Sequence, residues 1–136
     1  MALICDTGVL YAAIDEFDVH HEECAALVSD PPEELVVPAP VVVELEWLVT
    51  SRMSFDQFDG FLQSIEIGAI QVANLEPSDY ARVRELCRRY ADFPLGMVDA
   101  AVVAVCERLG ETTLATLDRR HFGVVRPRHG ALRLVP

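Results

Sequence analysis

The chain has 136 residues, 51% of them hydrophobic, and a formal net charge of −11. That length suits one domain spanning 1–136 that buries roughly two thirds of its unfolded surface, and the composition excludes a disordered chain. All eleven basic residues are Arg, so Schiff-base chemistry, a Walker-type phosphate lysine and a lysine general base are excluded together.

Ala2-Leu3-Ile4-Cys5 is short and wholly apolar, as strands buried on both faces are. Asp6-Thr7-Gly8 follows it directly. A carboxylate there either faces the crevice at the carboxyl edge of a parallel sheet or caps the helix that follows. Asp6 alone does not separate the two. Val9 to Ile14 reads as a short apolar helix, with Gly8 permitting close approach to a neighbouring strand. His20 to Ser29 reads as a second helix; His20-His21-Glu22-Glu23-Cys24 lacks a tetrahedral ligand set and is read as polar helix surface. Leu35 to Val37 is the second strand, and Pro38-Ala39-Pro40 launches a helix from Val41 to about Arg52. Its Leu45, Leu48 and Val49 form a core stripe; Glu44, in the first turns, lies near the same sheet edge as Asp6, whereas Glu46 projects into solvent.

Ser54-Phe55-Asp56-Gln57 fits a capping box that opens a helix to about Glu66. Ala69 to Val72 is strand three. Ser78 is expected to cap a helix to Tyr90, with Arg82, Arg84, Arg88 and Arg89 on its solvated face or in dimer contacts. Met97 to Cys106 is apolar nearly all round, hence a buried helix; Asp99 in its first turn is either a cap or a functional acid. Gly110 ends that helix, Thr113 to Thr116 is strand four with Leu117-Asp118 directly after it, and Leu132 to Val135 is a final strand. Alternation of strands and helices predicts a three-layer α/β/α domain with a mostly parallel central sheet flanked by helices.

Asp6, Glu44, Asp99 and Asp118 thus share one sheet edge. Four ionised carboxylates in one crevice need cations, and an oxygen-only donor set favours Mg²⁺ or Mn²⁺ over zinc. Phosphodiester hydrolysis is the chemistry such a site suits. Thr7 and Thr116, each beside an acid, would orient carboxylates or a water. Cys5, Cys24, Cys87 and Cys106 are scattered without a C-x-x-C pair and read as free, mostly buried thiols. No apolar run approaches the ~20 residues of a membrane span and no signal-like segment opens the sequence, so a soluble cytoplasmic protein is expected. Residues 1–81 carry sixteen acids and one base, Arg52, whereas 82–136 carry ten Arg and six acids; a polyanion would be drawn to the second segment.

Asp6-Thr7-Gly8, Glu44-Leu45, Val98-Asp99-Ala100-Ala101-Val102-Val103-Ala104 and Ala115-Thr116-Leu117-Asp118-Arg119-Arg120-His121-Phe122 resemble the motifs of the PIN-domain nucleases, in particular the VapC-type ribonuclease toxins of bacterial toxin–antitoxin modules. The resemblance covers essentially the whole chain. It implies a PIN-like fold, an acidic quartet of Asp6, Glu44, Asp99 and Asp118 holding Mg²⁺ or Mn²⁺, and endonucleolytic RNA cleavage. It also implies a homodimer inhibited by a cognate antitoxin protein. Position 8, often Ser in that family, is Gly8 here. Arg119, Arg120, Arg126 and Arg128 follow the Asp118 strand edge and are the candidate RNA contacts, since Arg suits bidentate phosphate binding. Two other readings compete: a catalytically silent RNA-binding or scaffold domain of the same fold, which an intact quartet argues against, and a Mg²⁺-binding phosphoacceptor receiver domain, which resembles a family that relies on a lysine absent here.

Overall fold

A computed structural model describes all of residues 1–136. Five strands form one sheet: β1 (Ala2–Cys5), β2 (Glu34–Pro38), β3 (Ile70–Ala73), β4 (Thr113–Ala115) and β5 (Arg133–Val135). Seven helices connect them: α1 (Thr7–Ile14), α2 (His21–Ser29), α3 (Ala39–Arg52), α4 (Phe55–Glu66), α5 (Pro77–Arg89), α6 (Met97–Leu109) and α7 (Arg119–Val124). The strand order is β3-β2-β1-β4-β5 and every pairing is parallel. The sheet is therefore wholly rather than mostly parallel, because every strand-to-strand connection passes through at least one helix.

Leu3, Ile4 and Cys5 point alternately to opposite faces, yet all are buried; helices therefore cover the sheet on both sides. The core runs from these strands into α6, where Ala100 to Cys106 are buried without a break. Gly110, at φ +70°, closes α6 in the left-handed conformation that glycine adopts without penalty. No helix is long and apolar enough to cross a membrane.

Four local expectations change. The helix after β1 begins at Thr7 rather than Val9, and an added Cβ at Gly8 would meet Leu117 Cβ at 3.9 Å. That is ordinary contact, so close backbone approach does not require the glycine. α5 is capped from Glu76, whose amide donates to Asp79 Oδ2 at 2.9 Å; Ser78 lies inside the first turn. The short helix α7 had no expected counterpart.

The fourth change is Arg82. It is buried, and its guanidinium grips Glu107 of α6 through Nε–Oε2 and Nη2–Oε1, both 2.9 Å. Arg108 answers from α6, donating from Nε to buried Asp79 at 2.9 Å. The pairs cross between α5 and α6, so each helix supplies the countercharge that lets the other bury an ion. Arg84, Arg88 and Arg89 are exposed as expected.

Candidate active site

Strand order reverses at β1: the chain runs outward through β2 and β3, then returns to pair β4 on β1's other side. Such a switch point opens a crevice at the carboxyl ends of the strands. Asp6 and Thr116 directly follow β1 and β4 there. The ladder continues through them, with the Asp6 amide donating to Ala115 O and the Thr116 amide to Val135 O, both at 2.9 Å.

Asp6 occupies the N-cap position of α1, but its side chain makes no capping bond. It is buried, and accepts from Thr116 Oγ1 at 2.9 Å. Thr116 Oγ1 also accepts the Asp118 amide at 3.0 Å, so one hydroxyl ties the first acid to the backbone of the last. Burial pushes the Asp6 carboxyl up to about 6; the Thr7 amide and Thr116 hydroxyl oppose this, while Asp99 and Glu44 add to it.

α6 delivers Asp99. Its N-cap is Gly96, with no side-chain cap bond, so Asp99 is not the cap. The half-buried carboxyl is raised, first by burial and then by Asp118 and Glu44, with His121 opposing. Glu44 reaches the same crevice from α3, half-buried, whereas Glu46 is exposed and accepts from Thr50 Oγ1 on its own helix. Asp99 and Glu44 raise the Asp6 carboxyl, and Asp118 and Glu44 raise that of Asp99, so each of the four expected acids lies within electrostatic reach of another.

Asp118 is held differently. It is the N-cap of α7, where its Oδ1 accepts the His121 amide at 2.9 Å and its Oδ2 lies 2.7 Å from His121 Nδ1. Ligand-capable atoms of Asp99, Asp118 and His121 all fall within 4.8 Å of one another. His121 stands outside the residues that the sequence nominates for the site; its place three residues after the α7 N-cap, Asp118, is the capping-box spacing that flags it.

A divalent cation fits this site by its donor chemistry. Among the four acids, Asp6 and Asp118 accept hydrogen bonds from side chains while Asp99 and Glu44 are left with open oxygens. No Arg pairs with any of the four. Buried Thr7 Oγ1 has no protein partner. Hard oxygen donors with uncompensated negative charge are what Mg²⁺ or Mn²⁺ takes. The thiols offer nothing comparable: all four are free, and burial drives Cys5 and Cys106 up to about 12, far from the reactive thiolate.

The candidate arginines separate. Arg119 donates to Pro136 O at 2.6 Å, and Arg120 stacks its guanidinium 5.6 Å from the Phe93 ring centroid, whose ring also packs on His121. Arg126 donates to Gly123 O at 3.1 Å, back onto α7. Arg128 pairs with Glu85 at 2.6 Å and its amide meets Glu107; Glu107 lies two turns along α6 from Asp99, about 12 Å. Arg119 and Arg120 open α7 directly after Asp118, whereas Arg128 is drawn to Glu85 and Glu107.

Comparison with known proteins agrees with this geometry. The PIN domain family model matches residues 3–126. Ribonuclease VapC26 of Mycobacterium tuberculosis is 33% identical over 125 residues, 92% of this chain and 93% of that protein. Two crystal structures share the fold. One is the M. tuberculosis sarcin–ricin loop cleaving toxin VapC20, with TM-score 0.78, 19% identity, and 90% of this chain and 96% of that one covered. The other is VapBC2 from Rickettsia felis bound to a promoter DNA fragment, with TM-score 0.72, 15% identity and full coverage of both chains. With a family model spanning nearly the whole sequence, a relative of this identity and an acidic crevice at the switch point of a parallel sheet, the chain belongs to the PIN domain family.

Proposed function

We propose that this chain is a metal-dependent endoribonuclease and the toxin of a toxin–antitoxin pair, with residues 1–136 acting as one catalytic unit in the cytoplasm. The observation that carries the reading is the convergence of Asp6, Glu44, Asp99 and Asp118 from four different elements on one crevice, with no arginine to neutralise them. The names of VapC26 and VapC20 support RNA as the substrate, and the VapBC2 complex supports an antitoxin as partner.

Bound Mg²⁺ or Mn²⁺ supplies Lewis-acid stabilisation of the phosphate and activation of water. The chain's own residues do the holding. Asp99 and Glu44, with open oxygens, are ligands together with Asp6 and Asp118. Thr116 fixes the Asp6 carboxylate and the Asp118 backbone in one orientation through a single hydroxyl. Thr7 carries a buried hydroxyl free to donate to a carboxylate oxygen or a water. Arg119 and Arg120, which directly follow Asp118 in the chain, are the phosphate contacts; Arg119 would exchange Pro136 O, and Arg120 the Phe93 face, for phosphate, whereas Arg128 is ion-paired to Glu85 away from the acids and Arg126 is turned back onto α7. A homodimer and a cognate antitoxin complete the assembly.

The test is digestion of total cellular RNA by the purified protein with Mg²⁺, Mn²⁺ or EDTA, beside Asp6→Asn and Glu44→Gln. Discrete fragments that require both metal and the carboxylates are expected, as is growth arrest on expression that Asp6→Asn abolishes. Cleavage or arrest persisting in a folded Asp6→Asn protein refutes the mechanism.

A further inference from the structure

We propose that His121 is a positioning residue, clamping Asp118 in the orientation that cation binding needs. The inference rests on the metal site proposed above. One residue engages both oxygens of Asp118: its amide donates to Oδ1 at 2.9 Å and its Nδ1 lies 2.7 Å from Oδ2. The other ring nitrogen, Nε2, lies 3.1 Å from Pro94 O. A carbonyl oxygen only accepts, so Nε2 is the donor toward Pro94, and Nδ1 is the ring atom turned to Oδ2. The Phe93 ring, its centroid 4.8 Å from that of His121, limits the imidazole from one side.

This geometry decides between two roles. His121 belongs to the tight cluster with Asp99 and Asp118, which at first sight makes it a third ligand. A ligating nitrogen must direct a lone pair at the ion, and here both nitrogens are turned to other oxygens. The ring instead joins two sides of the crevice: Asp118 at the start of α7, and the Pro94 segment that leads into α6 and Asp99. A carboxylate oxygen holding one hydrogen bond keeps a lone pair for a cation, so the clamp orients Asp118 without consuming it.

Calorimetric titration of the full chain with Mn²⁺ tests this, alongside thermal unfolding without metal. His121→Asn retains a donor near the Nδ1 position but cannot reach Pro94; His121→Gln reaches toward Pro94 but has no donor at Nδ1. Loss of an outer partner that orients a ligand weakens metal binding about 10–100-fold. That loss is expected for His121→Gln and His121→Ala, with His121→Asn recovering most of the wild-type affinity. A folded His121→Gln protein that binds Mn²⁺ as tightly as wild type, or His121→Asn as weak as His121→Ala, overturns the positioning role while leaving the metal site intact. Wild-type protein that binds no Mn²⁺, like an Asp118→Asn control, overturns the metal site and the clamp with it.

Discussion

Asp6→Asn should make the metal-free protein more stable at neutral pH while abolishing cleavage. Asp6 is buried, and its carboxyl is raised from 3.8 to about 6, burial being the largest cause. The folded protein therefore holds this proton across a window in which the unfolded chain has released it. The associated stability is fully present below pH 3.8 and is lost as pH rises through about 6. At about 1.4 kcal/mol per pH unit, the ionised carboxylate costs the folded state about 3 kcal/mol at pH 8. Asparagine keeps an oxygen for Thr116 Oγ1 and carries no charge. For a chain of this size 1 kcal/mol moves Tm by about 3 °C, so the variant should melt up to about 9 °C above wild type at pH 8 without metal. The gap should close as pH falls to 4. Differential scanning calorimetry at pH 4, 6 and 8 in EDTA measures it. Added Mg²⁺ should raise the wild-type Tm, because binding only the folded state stabilises by mass action, and should raise that of Asp6→Asn far less. A natively folded variant melting at or below wild type at pH 8, or a gap independent of pH, refutes the reasoning.

Four further outcomes follow from contacts elsewhere. Thr116→Val removes the hydroxyl that joins Asp6 Oδ2 to the Asp118 amide; single-turnover cleavage should slow about 10–100-fold, with weaker Mn²⁺ binding in calorimetry. Thr7→Val removes a buried hydroxyl that has no protein partner, so urea unfolding of the metal-free protein should show about 1 kcal/mol of gained stability while cleavage slows. Arg82→Ala removes the countercharge of Glu107, whose side chain is 9% exposed and keeps only the Arg128 amide, and should cost about 3 kcal/mol in urea; exposed Arg84→Ala should change stability by less than about 0.5 kcal/mol. Gly8→Ala places a Cβ in ordinary contact with Leu117 inside a helix, so it should add roughly 0.5–1 kcal/mol, read as a rise in Tm at unchanged metal affinity.

The strands, and the acids that follow two of them, are legible in sequence for one reason. A buried parallel strand announces itself as a short apolar run, and an acid at its end has few purposes. Asp6 after Ala2-Leu3-Ile4-Cys5 and Asp118 just beyond Thr113-Leu114-Ala115-Thr116 are both of this kind, and Glu44 followed from helical phase. What escaped depends on partners distant in the chain. Arg82 looks like any helix-surface arginine until Glu107, 25 residues on, is folded against it. α7 spans six residues, contains Gly123 and buries only Phe122, too little for a periodic signal. His121 could have been read as a cap partner of Asp118, but its second contact, Pro94 O, is 27 residues back. Local pattern reveals what one element needs; these residues answer needs of two.

Where the chain spends its arginines bears on how such an acidic protein can hold RNA. The buried or half-buried cations, Arg82 and Arg108, and exposed Arg128 all pair with Glu76, Asp79, Glu85 or Glu107 on α5 and α6. None reaches the quartet, where His121 on Asp118 is the one basic side chain in contact. Burial compounds this, since Asp6 and Asp99 are both raised by desolvation and by their neighbouring acids. A crevice in that condition repels a singly charged phosphodiester and attracts a divalent cation more strongly still. On the function proposed above, cation binding and substrate binding would be coupled through one electrostatic deficit: an ion that relieves repulsion among the carboxylates would also make the crevice acceptable to phosphate. Arg119 and Arg120, directly after Asp118, would then meet an RNA already brought to charge balance, so a chain carrying −11 would need few arginines there.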